Sequence, residues 1–158
     1  MIDELDRSIV LLLQDNGRAS NTELARKLGV SESTVRRRVG QLIRSGVIQV
    51  TAIPNQASLG FKTEAFIGLE VQMGSVDSVA EQLSRIASVH YVGACTGRFD
   101  LFIWVSFPSQ EELGDFLRSQ LSAIAGVRRS ETFVILGVEK RTYGWLYEPP
   151  KSKRGSKS

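Results

Sequence analysis

The sequence predicts an α+β chain in which a three-helix helix-turn-helix unit precedes a ferredoxin-like βαββαβ unit. Three observations carry this. Apolar residues in the first fifty positions recur at helical spacing between clear start and stop signals. Strand-like alternation begins near residue 65. From there, strand and helix patterns follow one another as β-α-β-β-α-β. The 158 residues suffice for two small units, each of which buries little surface and gains from association between chains.

The first unit is expected over residues 1–47. Ile2, Leu5, Ile9, Leu12 and Leu13 form the stripe of its first helix, with Asp3, Glu4 and Asp6 near the start and Gly17 as the stop. Ser20 followed by Glu23 is a capping-box pattern, opening a short helix that buries Leu24, Ala25 and Leu28 before Gly29 ends it. Gly29-Val30-Ser31 is a tight turn, and Ser31 caps a third helix that runs to Ser45 with Gly46 beyond. Two short helices around such a turn make the helix-turn-helix pattern. Residues 48–61 hold Pro54, Asn55 and Gly60 without helical periodicity. They are read as a linker, with a short strand at 47–53 able to pair with its counterpart in a second chain.

The second unit is expected over 62–147. Ala65, Ile67, Leu69 and Val71 alternate with Phe66, Gly68 and Glu70 to give a two-faced strand. Val76, Val79, Ala80, Leu83, Ile86 and Ala87 then share one side of a helix. Strands follow at 89–95 and 101–105, joined by Thr96-Gly97-Arg98-Phe99, with Pro108 closing the second. Leu113, Phe116, Leu117, Leu121 and Ile124 make the second helical stripe, and 131–138 has the β-branched content of a fourth strand. Both faces of the third strand are apolar, so a second sheet from another chain is expected to cover the face without helices. The polar, basic tail at 148–158 reads as a solubilising segment without a core.

On the third helix, Val35, Val39, Leu42 and Ile43 face the core, whereas Ser33, Thr34, Arg37, Gln41 and Arg44 project from the other side. Arg36 and Arg38 lie on the flanks, where a helix seated in a major groove passes the phosphate walls, although the flank of Arg38 could instead serve the unit's own packing. Arginine presents a fork to guanine, and hydroxyls accept several base-edge partners, so the pattern suits a recognition helix on double-stranded DNA. An isolated arginine run is more often a solvated face. Its position in the second helix of a helix-turn-helix favours DNA.

These residues also carry a resemblance. Leu5-Asp6, Gly17-Arg18-Ala19-Ser20, Glu23-Leu24-Ala25, Leu28-Gly29-Val30-Ser31, Val35, Arg38-Val39, Leu42 and Gly46-Val47-Ile48 resemble the N-terminal domain of Lrp/AsnC regulators. Thr96-Gly97-Arg98-Phe99-Asp100 is similar to that family's loop between the second and third strands, and the resemblance extends to Tyr147. It implies a transcriptional regulator that forms homodimers and larger tetramers or octamers, with an amino-acid effector at contacts between dimers. By the same resemblance, Gly97 and Asp100 are the leading effector residues, with Thr96, Arg98 and Phe99 beside them. Taken alone, Gly97 serves equally as the turn between antiparallel strands and Asp100 as its cap.

Composition narrows the alternatives. The formal charge of +3 permits a polyanionic partner. One cysteine and one histidine leave almost nothing for a His/Cys metal site, so neither a metal nor a resident cofactor is expected. The N-terminus lacks a signal-peptide pattern, and no apolar run is long enough to cross a bilayer, so the expected location is cytoplasmic, on the nucleoid when DNA is bound. Some sirohaem decarboxylases resemble the same family and use histidines in the second domain, which gives His90 an enzymatic alternative. The bland reading of His90 as a strand residue outweighs it. A DNA organiser with little sequence preference is a further alternative. Cys95 reads as a small core residue rather than a redox sensor.

Overall fold

The computed structural model describes residues 2–142, so the expected tail at 148–158 and the end of the expected second unit lie outside the described residues. Contacts divide the chain into two compact units: 2–52 together with 140–142, and Ile53–Glu139. No described helix is long and apolar enough to cross a membrane.

The first unit consists of α1 (Glu4–Asp15), α2 (Asn21–Leu28) and α3 (Glu32–Arg44). Each start follows from a side chain that satisfies an otherwise unpaired N–H. The Asp3 carboxylate accepts from the Asp6 N–H at 2.9 Å while the Asp6 carboxylate accepts from the Asp3 N–H at 3.2 Å. Ser20 and Glu23 make the same reciprocal pair for α2. Ser31 Oγ accepts from the Thr34 N–H for α3. Gly29 ends α2 in the left-handed region at φ 68°, a conformation that costs a residue with a Cβ roughly 1 kcal/mol or more, and so turns the chain into α3. Leu24, Ala25 and Val35 form a small buried core against which Leu12, Leu13, Leu28, Val30 and Val39 pack, and Ile9 and Leu42 are buried as well.

One expectation fails here. Ile43 does not join the core: it is 45% exposed, because one helical step of about 100° past Leu42 carries it off the covered face. It lines a shallow hollow with Gly46, Ile48, Gln49 and Val50. The expected strand at 47–53 is one that pairs with its counterpart in a second chain, and within this single chain the segment pairs with no described strand. A 3₁₀ turn at Ala57–Leu59 is the only regular element between α3 and the sheet among the described residues.

The second unit runs β1 (Thr63–Val71), α4 (Val76–Ser84), β2 (Val89–Ala94), β3 (Leu101–Phe107), α5 (Gln110–Asp115) and β4 (Val127–Val134), with a wider π turn at Phe116–Leu121 continuing α5. The four strands are antiparallel in the order β2-β3-β1-β4, the expected ferredoxin-like topology. Ala65, Ile67 and Leu69 of β1 stand opposite Val105, Ile103 and Leu101 of β3. All six are fully buried beneath Val79 and Leu83 of α4 and Leu113, Phe116 and Leu121 of the second helical segment.

On the opposite face, Phe66 and Phe133 are each 45% exposed, and Trp104 and Phe102 are half-buried. The helices thus cover one face, and the other is aromatic and open. The fourth strand departs from its expected place, starting at Val127 rather than 131. The β-branched residues after 133 drew the expectation toward the C-terminus. Pairing with β1 sets the actual strand, placing Val127 against Val71 and Val134 against Ala65. Arg128 and Arg129 are tolerated because β4 is an edge strand, and Arg129 reaches Glu70 at 3.7 Å.

Candidate DNA-binding and effector sites

The exposed side of α3 is a stripe. Ser33, Arg37, Gln41 and Arg44 lie at intervals of four, four and three residues, and all are exposed. Thr34 is half-buried, its hydroxyl 2.8 Å from Ser31 Oγ, so it belongs partly to the cap. The Arg44 guanidinium folds back along the helix to lie near Gly40. Arg36 is held by Glu32 one turn earlier, and Glu32 also accepts from Thr22 Oγ1 at 2.9 Å. Thr22 and Arg36 together hold the Glu32 carboxyl below its usual range, Thr22 contributing most. Glu32 therefore links the starts of the two helices of the motif. The Arg36 pair is solvent-exposed and weak enough to yield to a phosphate.

Arg38 takes the packing role that was the alternative for its flank. Its guanidinium lies 2.7 Å from an Asp3 oxygen and 3.1 Å from an Asp6 oxygen, and Asp6 is only 5% exposed. A carboxylate so deeply buried requires a cation or a full set of hydrogen bonds. Arg38 meets that need and fastens the middle of α3 to the start of α1. Its charge is spent inside the unit. The helical position of Arg38 allowed such a role, but not the identity of its acidic partners, more than thirty positions away.

The loop between β2 and β3 brings the five expected effector residues together, but it assigns them unlike tasks. Gly97 turns at φ 118°, open to a glycine and strained for any other residue. Thr96 is exposed. Arg98 forms an ion pair with Glu131 of β4 at 2.9 Å and lies 5.3 Å from the centre of the Phe99 ring. Phe99 is buried against the open face of the sheet. Asp100 is half-buried, and one carboxylate oxygen accepts the Val71 N–H at 2.7 Å while its own N–H donates to the Leu69 carbonyl. Asp100 thereby continues the β1–β3 pairing past its last residues, and its second oxygen is not engaged by that bond. The expectation for Cys95 fails: it is exposed, just beyond the end of β2, and its thiol donates to the Phe99 carbonyl. Gly68, beneath Phe99, had no sequence signal beyond interrupting an apolar strand.

Near the start of β2, His90 sits at a bulge, with Nε2 2.5 Å from Ser106 Oγ and its ring edge toward Trp104. Among the described residues no cluster of three or more His, Cys, Asp or Glu side chains could hold a metal.

A helix-turn-helix with an outward polar stripe, followed by a separate sheet unit with a built loop, defines a DNA-binding regulator with a sensor domain. Residues 2–49 match the winged helix-turn-helix DNA-binding family, and 64–145 match the Lrp/AsnC ligand binding domain. An HTH-type transcriptional regulator of Pyrococcus furiosus is 38% identical over 148 residues, covering 93% of this chain and 100% of the relative. The HTH-type transcriptional regulator FL11 of Pyrococcus abyssi is 35% identical, covering 89% and 93% respectively. Escherichia coli AsnC superposes with a TM-score of 0.81 at 29% identity, over 89% of this chain and 96% of that one. A Neisseria meningitidis transcriptional regulator solved with L-Met gives 0.85 at 26% identity, over 92% and 97%. The chain belongs to the Lrp/AsnC family of transcriptional regulators, carrying a helix-turn-helix and a ligand-binding domain.

Arg38→Ala should lower the stability of the first unit by about 3 kcal/mol, because it strands the buried Asp6 carboxylate. Denaturant unfolding followed by helical circular dichroism checks this, and a loss within experimental scatter would show that the clasp contributes nothing. A pH dependence follows from Asp3, whose carboxyl is held below its ordinary value of 3.8, first by the Asp6 N–H and then by Arg38. A depressed carboxyl stabilises the fold above its unfolded pKa and loses that contribution as pH falls through the folded value. Asp3→Asn should therefore show a shallower loss of stability than wild type on acidification from pH 3.8 downward.

Proposed function

We propose that α3 reads a specific site on double-stranded DNA, with Ser33, Arg37, Gln41 and Arg44 facing base edges, Thr34 at the helix start and Arg36 on the phosphates. The observation that carries this reading is the division of labour on α3. Arg38 is committed to Asp3 and Asp6, while Arg37 stands in the exposed stripe. The fold of the unit therefore does not depend on the charges available to DNA.

In this reading the chain acts as a homodimer and assembles further, to a tetramer or octamer, by covering the aromatic face that its own helices leave open. Two recognition helices related by a two-fold axis meet half-sites about one helical turn apart. The effector is an amino acid at the 96–100 loop, where Asp100 receives the ammonium on the oxygen not used by Val71. The meningococcal relative solved with L-Met supports that ligand class. We read the chain as a regulator without catalytic activity, acting in the cytoplasm on the nucleoid. Its relatives are transcriptional regulators, and His90 is engaged by Ser106.

Arg37→Ala should weaken binding to the specific site by about 1–3 kcal/mol and relax preference at one base position, while leaving nonspecific affinity nearly unchanged. Selection of binding sites from random DNA, followed by affinity measurement at one fixed salt concentration, provides the comparison. Unaltered specificity would remove Arg37 from the reading set. For the effector, Asp100→Asn is a sharper probe than alanine, because its amide oxygen can still accept the Val71 N–H. It should retain the melting temperature of wild type yet lose about tenfold or more in amino-acid affinity, the usual scale for removing the charge from one charged hydrogen bond. Titration calorimetry with L-methionine and each other proteinogenic amino acid reads this, and undiminished affinity would remove Asp100 from the site.

A further inference from the structure

Along β1 the open face carries Phe66, Gly68 and Glu70 in alternation. At Gly68 the place of a side chain is filled by the Phe99 ring. A Cβ on Gly68 would stand 2.6–2.8 Å from ring carbons of Phe99, well inside ordinary carbon contact of about 3.5–4.0 Å. The seat thus exists only because residue 68 lacks a side chain. Once seated, the ring meets Phe102 of β3 edge-on at 5.4 Å and Phe133 of β4 at 6.5 Å. Arg98 lies 5.3 Å from its centre and is itself tied to Glu131 of β4. The loop is therefore fastened to three strands of the open face through one side chain and its neighbour.

We propose that Phe99, seated over Gly68, is a positioning residue that transmits the state of the 96–100 loop to the open aromatic face and thereby sets association between chains. This rests on the reading of that loop as the effector site and of that face as the association surface. Phe99 is 8% exposed and turned into the sheet, so it does not touch a ligand from this position. Its departure would uncover the edges of Phe102 and Phe133 and leave a hollow above Gly68. The face thus has a filled and an unfilled form. Packed contacts of this kind switch between discrete arrangements rather than deform smoothly. A ligand that holds the loop differently in the two forms shifts their populations by its difference in affinity for them.

Gly68→Ala tests the seat without removing any group from the loop, since the φ of residue 68 is not in the left-handed region. Full-length wild type, Gly68→Ala and Phe99→Leu are compared by amide exchange, and by sedimentation over a range of concentrations. Each is measured alone and with saturating L-methionine, then with each other proteinogenic amino acid. In the unliganded Gly68→Ala protein, amides at 96–100 should exchange about tenfold faster with the sheet still protected, and the dissociation constant for self-association should change by about tenfold. Any change in mass that an amino acid causes in wild type should be lost in the saturated variant. Should Gly68→Ala fail to fold, Phe99→Leu, which leaves Gly68 bare, is held to the same outcomes.

Unchanged loop exchange and self-association, a wild-type mass response in the saturated variant, or a wild type that never self-associates would each overturn the proposal. A wild type that binds no amino acid would overturn the effector reading alone, and the unliganded comparison would still decide the role of Phe99.

Discussion

The second unit is governed by a single constraint: its four-stranded sheet has helices for one face only. Burial of Ile67, Leu69, Leu101 and Ile103 beneath α4 and α5 supplies the cohesion of that unit, since each such side chain contributes roughly 1.5–3 kcal/mol when fully removed from water. The same strands must present alternate residues to the other side, and there they present Phe66, Phe102, Trp104 and Phe133. A single chain covers that side only partly, by folding Phe99 across it. The aromatic surface and the Phe99 ring laid across it are thus consequences of one uncovered layer.

The first unit solves a different problem. Three short helices enclose so few apolar residues that their mutual orientation needs help beyond packing. The Asp3–Asp6–Arg38 clasp supplies it, holding α3 to the start of α1, and Glu32 with Thr22 does the same between α3 and α2. The exposed stripe on α3 is left facing away from both contacts. On the proposed reading, the DNA-facing stripe is thus held in place by acidic residues that are themselves unsuited to touch DNA.

Features written in local patterns were legible in the sequence. Ser20 with Glu23, Ser31 and Gly29 act within four residues of themselves, and their caps and turn stand where the spacing put them. Alternation in 65–71 identified β1, and the order of elements identified the topology. What could not be read were partners distant in the chain. The flank of Arg38 suited either a phosphate wall or the unit's own packing, and only its distant partners, Asp3 and Asp6, the latter 32 positions earlier, decide between the two. Phe99 looked like a loop residue because nothing near it announces the bare strand position at Gly68. The fourth strand slipped by several residues because its bounds come from pairing with β1, and Cys95 emerged because β2 ends one residue before it.

The separation of tasks along α3 also bears on how such a regulator can change over generations. Ser33, Arg37, Gln41 and Arg44 lie outside the small core, and the side chain that anchors the helix is a different one. Replacement of these four alters the pattern of donors and acceptors offered to a groove while the anchoring contacts persist. On the proposed reading of α3, new operator preferences are therefore accessible by single steps that keep the scaffold intact, and a duplicated copy could diverge in its target genes before its second unit changes at all.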